Sequence, residues 1–89
     1  LTVTVYTTPS CQQCTMTKRK LTRAGIPYES VDLTEEPATL EEFKALGFSA
    51  APIVRAKATG GTVHVWSGFR PDLIDKLKNG EPLHEEGAA

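Results

Sequence analysis

The sequence predicts an α/β domain with four strands and three helices in the order βαβαββα, the helices packed on a mixed four-stranded sheet. Three observations carry this. Short runs rich in Val, Ile, Thr and Tyr alternate with longer stretches of helix formers. The strand-helix-strand opening fits a right-handed crossover unit, which makes its two strands parallel. Gly60-Gly61 separates the last two strand-like runs, a hairpin signal that makes those two antiparallel.

The elements follow in order. Thr2 to Thr7 alternates Val3 and Val5 with Thr and Tyr, a strand by pattern. Pro9 then fixes one φ, and Ser10 is placed to cap a helix that starts near Gln12 and stops at Ala24-Gly25. Tyr28 to Leu33 reads as the second strand. Thr34-Glu35-Glu36-Pro37 opens the second helix, with Pro37 in its first turn and acids at the positive end of its dipole. Leu40, Phe43 and Leu46 supply its apolar face, Gly47 ends it, and Glu35, Glu36, Glu41 and Glu42 face solvent. Ile53 to Arg55 is the third strand, entered through Pro52, which belongs at a strand start or edge. Val63 to Trp66 is the fourth. Pro71 opens the last helix, with Leu73, Ile74 and Leu77 as its stripe, Asp72 and Asp75 early, Lys76 and Lys78 late, and Gly80 closing it. Residues 1–80 thus form one domain and 81–89 a flexible tail.

Composition narrows the function. Eighty-nine residues hold one core and no more, and a net charge of −1 points away from nucleic acid and anionic membranes. No apolar run reaches spanning length, and the opening lacks the basic segment and longer apolar core of a signal peptide, so a cytoplasmic location is expected.

The chemistry lies in Cys11-Gln12-Gln13-Cys14, whose cysteines are the 2 in the chain. Set at a helix N-terminus, such a pair meets unpaired N–H groups and a partial positive charge, which favour thiolate and lower a CxxC pKa into the range of about 3.5 to 7.5. Cys14, Thr17, Leu21 and Ala24 share the inward stripe, leaving Cys11 at the exposed lip. A purely structural disulfide here closes so short a loop that it removes little chain entropy. A zinc site needs about four ligands, and Cys11, Cys14, His64 and His84 offer no second close pair. Redox exchange is the expected use. Lys18, Arg19 and Lys20 read as solvated, with only a small screened effect of Lys18 on Cys11, and His64 is given no role.

Along most of its length the chain resembles the thioredoxin-fold superfamily and, within it, the glutaredoxin-like NrdH-redoxins. The residues that carry the resemblance are Cys11-Gln12-Gln13-Cys14, Ala51-Pro52 before the third strand and Trp66-Ser67-Gly68-Phe69-Arg70-Pro71 after the fourth. It implies a thioredoxin-like fold, a redox-active Cys11–Cys14 disulfide, a cis bond before Pro52 and a partner-binding surface formed by Gln12, Gln13, Ala51, Pro52 and Trp66 to Arg70. Trp66 and Phe69 divide between packing and docking, and Arg70 is expected to order its loop. Glutaredoxins that use glutathione have a tyrosine inside the CxxC, a Val-Pro pair and an acidic Gly-Gly turn. Gln13, Ala51 and Ser67 to Arg70 stand in those places.

The resemblance therefore implies a dithiol electron carrier; no bound cofactor or metal, and a monomeric state, are expected of it. Its electrons would come from NADPH through thioredoxin reductase, the FAD belonging to that partner, and would pass to the large subunit of a class Ib ribonucleotide reductase. A glutathione-dependent glutaredoxin and a thiolate metal- or cluster-binding module are the alternatives.

Overall fold

Alternating apolar residues in the first strand set up two cores, one on each side of the sheet. The structure, a computed structural model, describes residues 1–48, 50–58 and 60–79. In order these form β1 (Thr2–Thr7), α1 (Gln12–Arg23), β2 (Glu29–Asp32), a 3-10 turn (Leu33–Glu35), α2 (Pro37–Ala45), β3 (Ile53–Lys57), β4 (Val63–Ser67) and α3 (Pro71–Asn79). The sheet order is β2-β1-β3-β4, with β1 and β2 parallel and the other two pairings antiparallel. The βαβαββα reading is borne out.

Register assigns the faces. Val5, Val54 and Trp66 lie abreast across β1, β3 and β4, and pack with Leu21 of α1 and Leu73 and Ile74 of α3. One step along, Ile53 faces the other way and joins Leu33 and Phe43, with Tyr6, Leu40, Phe48 and Val65 around them. Tyr6 and Phe48 both meet the Phe43 ring edge-on, at 4.9 and 6.3 Å between centroids. A Lys20–Asp75 ion pair at 2.9 Å ties α1 to α3, so Lys20 is not simply solvated.

Several local expectations shift. The second strand is shorter than Tyr28 to Leu33, because the Asp32 carboxylate accepts the Thr34 amide at 2.9 Å and turns the chain into the 3-10 segment. Glu35 and Glu36 therefore precede α2 instead of occupying its first turn. Leu46 does not complete the apolar face: it is the C-cap of α2 and is 69% exposed, and Phe48, beyond Gly47, packs in its place. Gly47, at φ 97°, supplies the left-handed step that makes this possible. β3 runs on to Lys57 and β4 to Ser67. Gly80, His84 and the 81–89 tail lie outside the described residues.

Candidate functional site

Cys11 caps α1 itself. Its backbone is extended (φ −100°, ψ 106°), and its Sγ accepts the Cys14 amide at 3.1 Å, which satisfies one of the helix's unpaired donors. Ser10, expected as the cap, instead takes φ 61° and turns the chain into the helix. Cys11 and Cys14 are joined as a disulfide with Cα atoms 5.2 Å apart. Cys14 is buried and Cys11 half-buried, as the helical stripe requires. Thr17, one turn further along that stripe, is fully buried, and its hydroxyl has no hydrogen-bond partner among the described residues.

Two other stretches are tied to this corner by hydrogen bonds. The Ala51-Pro52 bond is cis, and the Pro52 carbonyl accepts the Gly68 amide at 2.8 Å. The next amide, Phe69, donates to the Gln13 side-chain oxygen at 3.3 Å. Gly68 needs its φ of 84° to aim these successive amides at different segments. Gln13, Gly68 and Phe69 thus form one connected surface, anchored from beneath by the Pro52 carbonyl, whose ring is itself fully buried. Ser67 closes β4 opposite Ile53. The Arg70 guanidinium grips Asp72 through Nε (3.2 Å) and Nη2 (3.0 Å), while its carbonyl accepts the Leu73 and Ile74 amides that begin α3. The pairing holds the Asp72 carboxyl below the usual carboxylate range.

Trp66 is placed differently from the rest of its run. It is buried in the core, and its indole N–H has no partner among the described residues. Phe69 is half-buried against the same core. Packing accounts for most of the Trp66 surface, and the exposed part of the run is carried by Ser67 to Arg70.

Against the disulfide lies an open groove of about 430 Å³ lined by Thr7, Thr8, Ser10, Cys11, Gln12, Cys14, Thr15 and Lys18, with no residue of the cis-proline loop among them. Sequence reasoning missed its hydroxyl lining. The signal was the Thr7-Thr8 pair at the strand end and Thr15 and Lys18 at spacings of four and seven from Cys11. Among the described residues no three His, Cys, Asp or Glu side chains are grouped as a metal site, and no helix is long and apolar enough to cross a membrane.

A cysteine pair joined as a disulfide at a strand-to-helix turn, tied to a cis-proline loop in a sheet of order β2-β1-β3-β4, defines a redox protein of the thioredoxin fold. Comparison with known proteins places it more closely. The glutaredoxin family model matches residues 3–59. The glutaredoxin-like protein NrdH of Escherichia coli is 37% identical over 75 residues, covering 84% of this chain and 86% of that protein. NrdH of Lactococcus lactis is 35% identical over 75 residues, covering 84% and 97%. The solved structure of NrdH-redoxin from E. coli superposes with a TM-score of 0.77 at 36% identity, covering 86% of this chain and 95% of that one. The chain belongs to the glutaredoxin family, in its NrdH group.

Proposed function

We propose that this protein is a dithiol electron carrier that is reduced by thioredoxin reductase at the expense of NADPH and passes its electrons to protein disulfides, those of a class Ib ribonucleotide reductase large subunit among them. Cys11 is the attacking residue: it is the more accessible sulfur and already accepts a helix N-terminal amide. That amide and the helix dipole stabilise its thiolate once the pair is reduced. The thiolate attacks one sulfur of the partner disulfide, forming a mixed disulfide and releasing the other partner sulfur as a thiolate. Cys14 then attacks Cys11, the partner's second thiolate leaves, and two electrons have moved. The Cys11–Cys14 disulfide that remains is returned to the dithiol by the reductase through the same two exchanges in reverse.

The observation that carries the choice of reductant is that the polar groups of the Gln13, Gly68 and Phe69 surface are already bonded, to one another or to the buried Pro52 beneath. The Gln13 oxygen is taken by the Phe69 amide, the Gly68 amide by Pro52, and the Arg70 guanidinium holds Asp72. An anionic tripeptide such as glutathione needs donors at its carboxylates, and leaving buried charges without them is costly. A protein segment, which brings its own backbone and apolar side chains, suits such a surface better. The E. coli relative, described as having a thioredoxin-like activity profile, agrees with this reading. The test is NADPH consumption with thioredoxin reductase and, separately, with glutathione and glutathione reductase. Rapid turnover in the first and little in the second is expected; equal or faster turnover with glutathione would move the protein to glutathione-dependent chemistry.

A further inference from the structure

The groove beside Cys11 is lined by none of the residues of the cis-proline loop or of the Trp66 to Pro71 loop. Of the residues expected to bind the partner it takes in only Gln12, beside the two cysteines. Its other walls are hydroxyls, from Thr8, Ser10 and Thr15 among others, and one cation, Lys18. No acidic side chain lines it, and α1 carries none at all: Lys18, Arg19, Lys20 and Arg23 are its only charges. Lys20 is neutralised by Asp75, whereas Lys18 has no ion-pair partner among the described residues. The acids of this half of the chain, Glu29, Asp32, Glu35, Glu36, Glu41 and Glu42, belong to β2, the 3-10 turn, the cap before α2 and α2 itself, and none lines the groove.

We propose that this groove is a second recognition site, which seats the residues flanking the partner's reactive cysteine and selects an acidic side chain there through Lys18. This rests on the protein-disulfide reading above. When the target sulfur meets Cys11, the chain on one side of it lies along the cis-proline loop, and the chain on the other side crosses the hydroxyl-lined groove. Its backbone and polar side chains find acceptors in the Thr7 and Thr15 hydroxyls, which donate to the Val31 and Cys11 carbonyls, and donors or acceptors in Thr8 and Ser10. A carboxylate within reach meets the unpaired ammonium. Substrate choice is therefore divided: one side of Cys11 reads shape and backbone, the other reads charge.

The experiment uses the full chain in its dithiol form and three synthetic peptides with one internal disulfide, identical except that the positions flanking the reactive cysteine carry aspartate, asparagine or lysine. The rate of disulfide reduction is followed by the thiols released. At low ionic strength the aspartate peptide should react faster than the asparagine peptide by about twofold to fivefold, the size of one exposed ion pair, and the lysine peptide slower. Added salt should compress the ratio. Lys18→Gln should bring the aspartate-to-asparagine ratio close to one, and Lys18→Glu should invert it. Because the ratio is taken within each variant, any change in Cys11 reactivity cancels. Arg23→Gln, which removes a charge from the far end of α1, should leave the ratio as it is. Equal rates for all three peptides, or a ratio that survives Lys18→Gln, would overturn the proposal while leaving the carrier reading intact. Failure to reduce any of the peptides would overturn both.

Discussion

Replacing Gly68 with alanine separates what the loop needs for stability from what it needs for exchange. A Cβ built there meets only the Gln13 oxygen, at 3.7 Å, which is ordinary contact, so the substitution creates no collision. The cost comes from the backbone. At φ 84° a residue with a Cβ is disfavoured by about 1–2 kcal/mol, and alanine recovers about 0.5 kcal/mol of that by restricting the unfolded chain. A net loss of about 1 kcal/mol follows, seen as a urea midpoint lowered by roughly 1 M at an unchanged slope of about 1 kcal/mol per M. Gly25 provides the control: its φ is 75°, nothing lies within 4 Å of the built Cβ, and it closes α1 far from the disulfide. Gly25→Ala should lose the same stability and reduce protein disulfides at the parent rate. Gly68→Ala should be slower, since rotating that residue disturbs both the Gly68–Pro52 and Phe69–Gln13 hydrogen bonds. A loss above about 3 kcal/mol in Gly68→Ala would reveal a steric conflict that the geometry excludes. Equal exchange rates in the two variants would show that the loop's geometry is not needed for exchange.

Three further outcomes are expected. Cys14→Ser should accumulate a mixed disulfide with protein substrates through Cys11, whereas Cys11→Ser should trap none; peptide mapping of complexes joined through Cys14 would reverse the roles. Trp66→Phe should change stability by no more than about 1 kcal/mol, because losing ring volume is offset by removing a buried donor without a partner, whereas Trp66→Ala should cost about 3–5 kcal/mol; denaturant melts of the two distinguish packing from hydrogen bonding. The Arg70 hydrogen bond depresses the Asp72 pKa in the folded state, so its contribution is present at neutral pH and disappears as pH falls through that lowered value. Asp72→Asn should flatten the acid side of the thermal-stability profile slightly, the effect being small for so exposed a pair, and a steeper acid side would contradict the assignment.

Much of this molecule was legible in the residues because its strands alternate cleanly and its helices carry stops. The strand-helix-strand opening and the Gly60-Gly61 turn were enough for the β1–β2 and β3–β4 pairings, though not for the central antiparallel pairing of β1 with β3, which joins strands distant in sequence. The stripe through Cys14, Thr17 and Leu21 was enough to decide which sulfur is buried. The misreadings have local causes. Leu46 keeps helical spacing from Phe43, but α2 ends before that spacing can bury it, and Phe48 reaches the core through a glycine turn that periodicity does not encode. Ser10 has a capping side chain, yet a sulfur one residue later takes the position. Trp66 stands in a run that reads as surface, but its register opposite Val54 commits it to the interior. The groove was invisible because it is assembled from single hydroxyls on two elements, each unremarkable alone.

The Gln13–Phe69 hydrogen bond spans 56 positions of the chain. The region that matches the glutaredoxin family model, residues 3–59, holds both cysteines and the cis-proline, but not Phe69 or the loop around it. For anyone redesigning this protein, the two portions are therefore not independent cassettes. A loop transplanted from another redoxin in place of Trp66 to Pro71 would leave the side-chain oxygen of Gln13 facing a foreign backbone, and a tyrosine placed at Gln13 would leave the Phe69 amide unanswered. This part of the surface can be exchanged only by changing position 13 and the distant loop together, as one unit written in two places in the gene.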